Sequence, residues 1–161
     1  MMRVKIRISR ERDEEINEIV PDFGDSIRLR TWAKFRMRDN NWSKTASAII
    51  DTGAPISVLP YDLWRRLKIK MLATGYSMRG IIPREECKLP VDIGEVYCIL
   101  LDEEGVKTEE TKIRAFLAFS DLIPIVLGFK FLLERLKICF DCEEGHAWLE
   151  EKESGKINNT I

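Results

Sequence analysis

The sequence predicts a mainly β fold, and three observations carry that prediction. Ile27, Leu29, Thr31, Ala33, Phe35 and Met37 alternate with Arg28, Arg30, Trp32, Lys34, Arg36 and Arg38, the period of a strand with one solvated face. Residues 45–50, 96–101 and 111–119 are apolar-rich runs bounded by turn residues, as in buried strands. Helical spacing is confined to short stretches. At 161 residues, with 45% hydrophobic and 33% charged positions, the chain is long enough for one domain with a real core.

Taken in order, residues 4–8 (Val-Lys-Ile-Arg-Ile) alternate and form a first strand. The charged segment 11–19 places Ile16 and Ile19 at helical spacing, so a short surface helix and an irregular loop are both open. Residues 21–25 carry turn chemistry, 27–37 form the long amphipathic strand, and Asp39-Asn40-Asn41 turns the chain into strand 45–50. Just past Pro60, residues 61–67 predict a short helix. Residues 76–91 read as a hairpin with Gly80 at its tip; strands 96–101 and 111–119 follow around the turn Asp102-Glu103-Glu104-Gly105. An apolar run closes at Gly128, residues 129–136 are the best helix candidate, and 138–142 with 147–151 make a last hairpin. No internal repeat is visible.

Composition excludes several classes. A net charge of -1 gives no global attraction to nucleic acid. No apolar run reaches the about 20 residues of a membrane-spanning helix. The first residues alternate charge and aliphatic carbon instead of forming a signal peptide's apolar core, which predicts a cytoplasmic protein with free thiols. No cofactor, membrane or nucleic-acid partner is expected.

The most informative stretch is Ala48-Ile49-Ile50-Asp51-Thr52-Gly53-Ala54-Pro55-Ile56-Ser57-Val58-Leu59. It runs a buried strand into a glycine-bearing turn and out through a second apolar strand. A carboxylate there is fixed, partly desolvated and within reach of turn N–H groups, as acid–base chemistry requires. The same pattern also suits a turn aspartate that bonds only its own backbone.

Asp51-Thr52-Gly53-Ala54 between apolar strands resembles the active-site segment of the aspartic proteases, in particular the single-domain retropepsin-like branch. The order of elements is similar too: a hairpin, the Asp51 loop, a flap hairpin around Gly80, then Val126-Leu127-Gly128 ahead of a helix. The resemblance covers residues 27–150. It departs from the family at Phe129, where Arg or Asp is common, and in a flap that offers Gly75 and Gly80 without a Gly-x-Gly-Gly tip. It implies a closed β-barrel of the acid-protease kind, with one short C-terminal helix and one active-site loop per subunit. The implied organisation is an N-terminal strand and extension over 1–25 packed on or near the core, the protease domain over 26–151, and a flexible tail over 152–161.

The chemistry so implied is aspartic endopeptidase activity on peptide or protein substrates. It needs two carboxylates sharing one proton, because like charges in contact cannot both ionise. One Asp-Thr-Gly in the chain therefore implies a homodimer with Asp51 from each copy at the two-fold axis. By resemblance Thr52 bonds across that axis. Gly53 gives the turn a conformation open to few residues and brings its N–H to the carboxylate. Ala54 lacks the hydroxyl of two-lobed relatives, which predicts activity best at mildly acidic to neutral pH. Met78, Arg79, Gly80, Ile81 and Ile82 are either the flap over a bound peptide or an ordinary exposed hairpin. Leu127 and Gly128 pack under the loop.

Competing readings come from other residues. Cys139-x-x-Cys142-x-x-x-His146, with Cys87, has part of a zinc spacing, but small buried hydrophobes and a hairpin thiol suit these positions better. One histidine disfavours Ser–His or Cys–His hydrolysis. The basic strand 28–38 suits a solvated face, or one paired with the acidic segment 11–18, better than a nucleic-acid track. The alternative to an enzyme is a non-catalytic retropepsin-like module for dimerisation or peptide binding.

Overall fold

The computed structural model describes residues 2–79 and 88–152. It contains strands β1 (Arg3–Lys5), β2 (Arg7–Arg12), β3 (Asp25–Phe35), β4 (Ala46–Ile50), β5 (Ser57–Leu59), β6 (Lys70–Met78), β7 (Leu89–Leu101), β8 (Thr111–Ala118), β9 (Val126–Leu127), β10 (Leu136–Asp141) and β11 (His146–Glu151). Among the described residues there are also two short helices, α1 (Glu14–Ile19) and α2 (Tyr61–Trp64), and a 3-10 turn over Leu133–Arg135. The fold is mainly β, as the alternation predicts. No helix among the described residues is long and apolar enough to cross a membrane.

Two sheets form. One has the order β1-β11-β10; the other runs β2-β3-β4-β9-β5-β8-β7-β6, and β3 also pairs with β7. The first predicted strand is in fact two. Ile6 is buried and donates its N–H to Ala147 O at 3.1 Å, so the chain leaves one sheet there and enters the other. Local alternation cannot reveal such a break, because both halves keep the same period. Of the two options for segment 11–19, the helix forms, with Asp13 Oδ1 accepting from Ile16 N at 3.1 Å as its N-cap.

The long amphipathic strand is β3. Thr31, Ala33 and Phe35 are buried, while Arg30, Trp32 and Lys34 face the other way. Its basic face meets the acidic segment as expected at one point, where Glu11 pairs with Arg28 and Arg30. Phe35, Leu59, Leu100, Leu117 and Leu127 are among the fully buried core side chains. A smaller cluster gathers Val58, Val91 and Ala118 with Met78, Leu89, Phe116, Ile123 and Val126. Strands β5 and β9 thus contribute to both clusters, and the loop between β4 and β5 is anchored on packed structure.

The predicted helix over 129–136 does not form. Phe131 has a φ of 62°, in the left-handed region that a right-handed helix cannot include. The N–H groups of Phe129 and Lys130 donate instead to Ala54 O and Pro55 O, each at 3.0 Å. Glu134 Oε1 accepts the Phe131 N–H at 2.7 Å, and only one 3-10 turn remains before β10. The hairpin over 76–91 is wider than expected: β6 begins at Lys70, and β7 runs unbroken from Leu89 to Leu101. Its predicted tip at Gly80 lies outside the described residues.

Candidate active site

Strand β4 is apolar because it runs through the core, and it ends at Asp51. The parallel register Ile49↔Val126 and Ile50↔Leu127 sets β4 beside β9. The ladder carries on one residue further, with Asp51 N–H donating to Leu127 O at 3.0 Å. The Asp51 backbone is therefore fixed to a fully buried residue while its side chain is exposed. Gly53 N–H donates to Asp51 Oδ1 at 2.8 Å, and Ala54 N–H donates to Asp51 O at 3.1 Å. One carboxylate oxygen is held by the turn; the other has no hydrogen bond among the described residues.

Gly53 corrects one expectation. Its φ lies outside the left-handed region, so turn conformation is not what requires glycine. A Cβ there would approach Asp51 Oδ1 to 3.2 Å, so the carboxylate would have to give by a few tenths of an ångström. Thr52 is exposed, with no hydrogen bond from its hydroxyl among the described residues, and Ala54 is half-buried.

The descending half of the loop lies on Gly128. A Cβ at Gly128 would meet Ala54 O at 2.6 Å, Ile56 C at 2.7 Å and Ile56 O at 2.8 Å. Gly128 N–H donates to Ser57 Oγ at 3.0 Å, and both groups are buried. With the bonds from Phe129 and Lys130, three successive N–H groups grip residues 54–57. Leu127 and Gly128 thus sit against the Asp51 loop. Ser57 was not singled out from the sequence. The available signal was a lone hydroxyl within the apolar run Ile56-Ser57-Val58-Leu59, which burial obliges to find a partner.

Met78 packs against the smaller cluster that includes Val126, the neighbour of Leu127, and Arg79 is exposed. Gly80, Ile81 and Ile82 lie outside the described residues. Tyr76, further back on β6, stacks on Phe116 with centroids 5.9 Å apart. Leu122 is 97% exposed on the segment leading into β9, and Phe129 is also exposed. A cavity of about 410 Å³ lined by Met2, Thr108, Arg135 and Lys152 includes none of the loop residues. Among the described residues, Asp51 is exposed and does not line that cavity.

Cys139, Cys142 and His146 lie on the hairpin of β10 and β11. Cys139 lies opposite Trp148 and His146 opposite Asp141, and no metal-holding cluster of His, Cys, Asp or Glu exists among the described residues. Cys87 lies outside them. Cys139 and Cys142 are half-buried, whereas Cys98 is fully buried and burial pushes its thiol up to about 12.

No protein-family model matches this chain, and no curated protein matches it. Among solved structures it is similar to the crystal structure of a retropepsin-like aspartic protease from Rickettsia conorii. The two are 18% identical, over 92% of this chain and 96% of that one, with a TM-score of 0.43.

Proposed function

We propose that this chain is a retropepsin-like aspartic endopeptidase that acts as a homodimer, one Asp51 from each copy forming the catalytic pair. The observation that carries the reading is the Asp51 loop. An exposed carboxylate closes a buried strand, takes one turn N–H on Oδ1, and is braced from beneath by Leu127 and Gly128. A turn aspartate of purely local use needs no such bracing by a segment more than seventy residues away.

In this mechanism one Asp51 carboxylate takes a proton from a water held between the pair. The water oxygen bonds to the scissile carbonyl carbon as the second carboxyl gives its proton to the carbonyl oxygen. The tetrahedral diol then collapses: the C–N bond breaks, the amine leaves with a proton from the first carboxyl, and the second recovers its own. Gly53 N–H holds the charge of one oxygen, and the Thr52 hydroxyl pairs across the two-fold axis. Ala54, Met78, Arg79, Gly80, Ile81 and Ile82 border the substrate. The closed barrel of the family belongs to the same reading, supported by the β3–β7 pairing, as does a cytoplasmic setting.

The test is cleavage of a denatured protein from pH 3 to 8 by wild type and Asp51→Asn, with pepstatin as a further arm. Cleavage by wild type alone, blocked by pepstatin and best at mildly acidic to neutral pH, is expected. A folded, dimeric wild type that cleaves nothing at any pH makes the chain a binding module instead. An optimum below about pH 3 removes the argument from Ala54.

A further inference from the structure

Strands β2 and β3 do not meet in a tight turn. Between Arg12 and Asp25 the chain inserts α1 and a loop, and the apolar side chains of this tip lie outside the core. Ile19 is 75% exposed, and Val20, Phe23 and Ile27 are exposed too. The buried residue of α1 is Asn17, at the inner position that an aliphatic side chain would ordinarily take. Its Nδ2 donates to Asp13 O at 2.7 Å and to Gly24 O at 3.2 Å, and its Oδ1 accepts the Gly24 N–H at 3.2 Å. Phe23 N–H donates to Val20 O at 2.9 Å. Polar bonds thus hold the tip in shape and leave its aliphatic and aromatic groups open to another molecule.

Charge and position define that molecule. From Asp13 to Ile27 the chain has Asp13, Glu14, Glu15, Glu18, Asp22 and Asp25 but no Lys or Arg, against a net charge of -1 for the whole. Glu14 pairs with Arg12, while Glu15, Glu18, Asp22 and Asp25 make no ion pair among the described residues. The tip also stands at the Asp51 end of the sheet. Leu29 lies opposite Ile50, so the same antiparallel register carried on sets Arg28 against Asp51 and Ile27 against Thr52. At about 3.3 Å per residue, Asp25 lies about 13 Å beyond Leu29, past the level of the Asp51 backbone. We propose that this tip docks the protein substrate away from the scissile bond, on a segment of Lys or Arg interleaved with large aliphatic residues. This role rests on the endopeptidase reading above and gives it a substrate class. The aliphatic groups cover Ile19, Val20 and Phe23, and the cations meet the surrounding carboxylates. Acidic segments are repelled, as are the anionic headgroups of a membrane.

The first measurement is fluorescence anisotropy with Asp51→Asn, which cannot consume the probe. The probe is a labelled peptide of Lys, Leu and Ser, beside a counterpart with Glu in place of Lys. Only the Lys peptide should bind, more weakly as salt rises. Phe23→Ser and Glu18→Lys, each added to Asp51→Asn, should weaken it about tenfold, and Glu103→Lys, an exposed reversal elsewhere, should not. Glu18→Lys puts a cation in the last turn of α1, which favours the helix, so unfolding does not explain its effect. The second measurement is cleavage of one protein with and without an appended tract of Lys, Leu and Ser. The tract should lower KM about tenfold at unchanged kcat, and Glu18→Lys should cancel the gain. Equal binding of the Glu peptide, or binding indifferent to both tip variants, overturns the proposal. So does loss of self-association in place of peptide binding in Phe23→Ser, which assigns the tip to a second copy. Selective binding by a chain that cleaves nothing retires the enzyme and keeps the docking surface; cleavage that ignores both tract and tip does the reverse.

Discussion

Replacing Gly128 by alanine tests the bracing of the Asp51 loop directly. The added methyl would lie 2.6 to 2.8 Å from Ala54 O and from the carbonyl atoms of Ile56, all of them backbone. None can rotate away, so the loop must rise. Overpacking of this kind costs about 1–3 kcal/mol. Lifting the loop also strains the bonds from Gly128 N–H to Ser57 Oγ and from Phe129 N–H to Ala54 O, at about 1 kcal/mol each. The total is on the order of 3–5 kcal/mol, or about 6–20 °C in Tm for a chain of this length. Gly105→Ala is the control. Gly105 has a φ of 84° and nothing within 4 Å of its would-be Cβ, so only left-handed backbone strain of about 1–2 kcal/mol applies. Equilibrium urea unfolding, with thermal melts beside it, ranks the two. If Gly128→Ala loses no more stability than Gly105→Ala, the loop is not held by close approach and the reasoning fails.

Other outcomes follow from the same geometry. Ser57→Ala leaves the Gly128 N–H buried without an acceptor and should cost about 1–3 kcal/mol in urea titrations, more than serine-to-alanine at an exposed site. Cys98, buried and with its thiol pushed up to about 12, should react with a thiol reagent at pH 8 only after denaturant is added. Glu150 is held below the ordinary carboxylate value, first by the Trp148 indole N–H at 2.8 Å and then by Lys137 and Arg3. Its contribution is present above the ordinary 4.5 and lost as pH falls through the lower folded value. Below pH 4.5 wild type should therefore lose stability more steeply than Glu150→Gln, as acid titration of unfolding would record. Asp51→Asn should keep wild-type stability within about 0.5 kcal/mol, because an exposed amide oxygen still accepts the Gly53 N–H.

Strand identity was legible where one face is buried. The alternation of residues 27–37 announces β3, and the apolar entry to Asp51 announces β4, because core contact imposes a period on sequence. What escaped is set by contacts distant in sequence. Phe-Leu-Leu-Glu-Arg-Leu has helical spacing, but Phe129 and Lys130 spend their N–H groups on residues 54 and 55, and Phe131 turns left-handed. Likewise Ile6 separates β1 from β2 only because Ala147 arrives beside it. At the site, Asp51, Gly53 and Gly128 were readable as a pattern, as were the Gly53 N–H on the carboxylate and the place of Gly128 under the loop, but the atoms that approach Gly128 were not. Gly128 is required by backbone atoms that a Cβ would meet at 2.6 to 2.8 Å, whereas a Cβ at Gly53 would meet one carboxylate oxygen at 3.2 Å, and neither glycine has a left-handed φ. Ser57 was missed since a single hydroxyl in an apolar run does not name its acceptor or donor.

The grip of Gly128 on Ser57 also sets a timetable. The two residues are 71 apart in the chain, and β9 is too short to stand without both β4 and β5. At about 5–20 residues per second, a ribosome delivers Gly128 some 4–14 s after Ser57. Until then Asp51 ends a strand paired with β3 alone, and its own N–H lacks the Leu127 O acceptor. A nascent or truncated chain stopping short of residue 128 carries the whole Asp-Thr-Gly-Ala sequence with its carboxylate unplaced. The architecture thereby withholds the loop's working shape until most of the chain has been made.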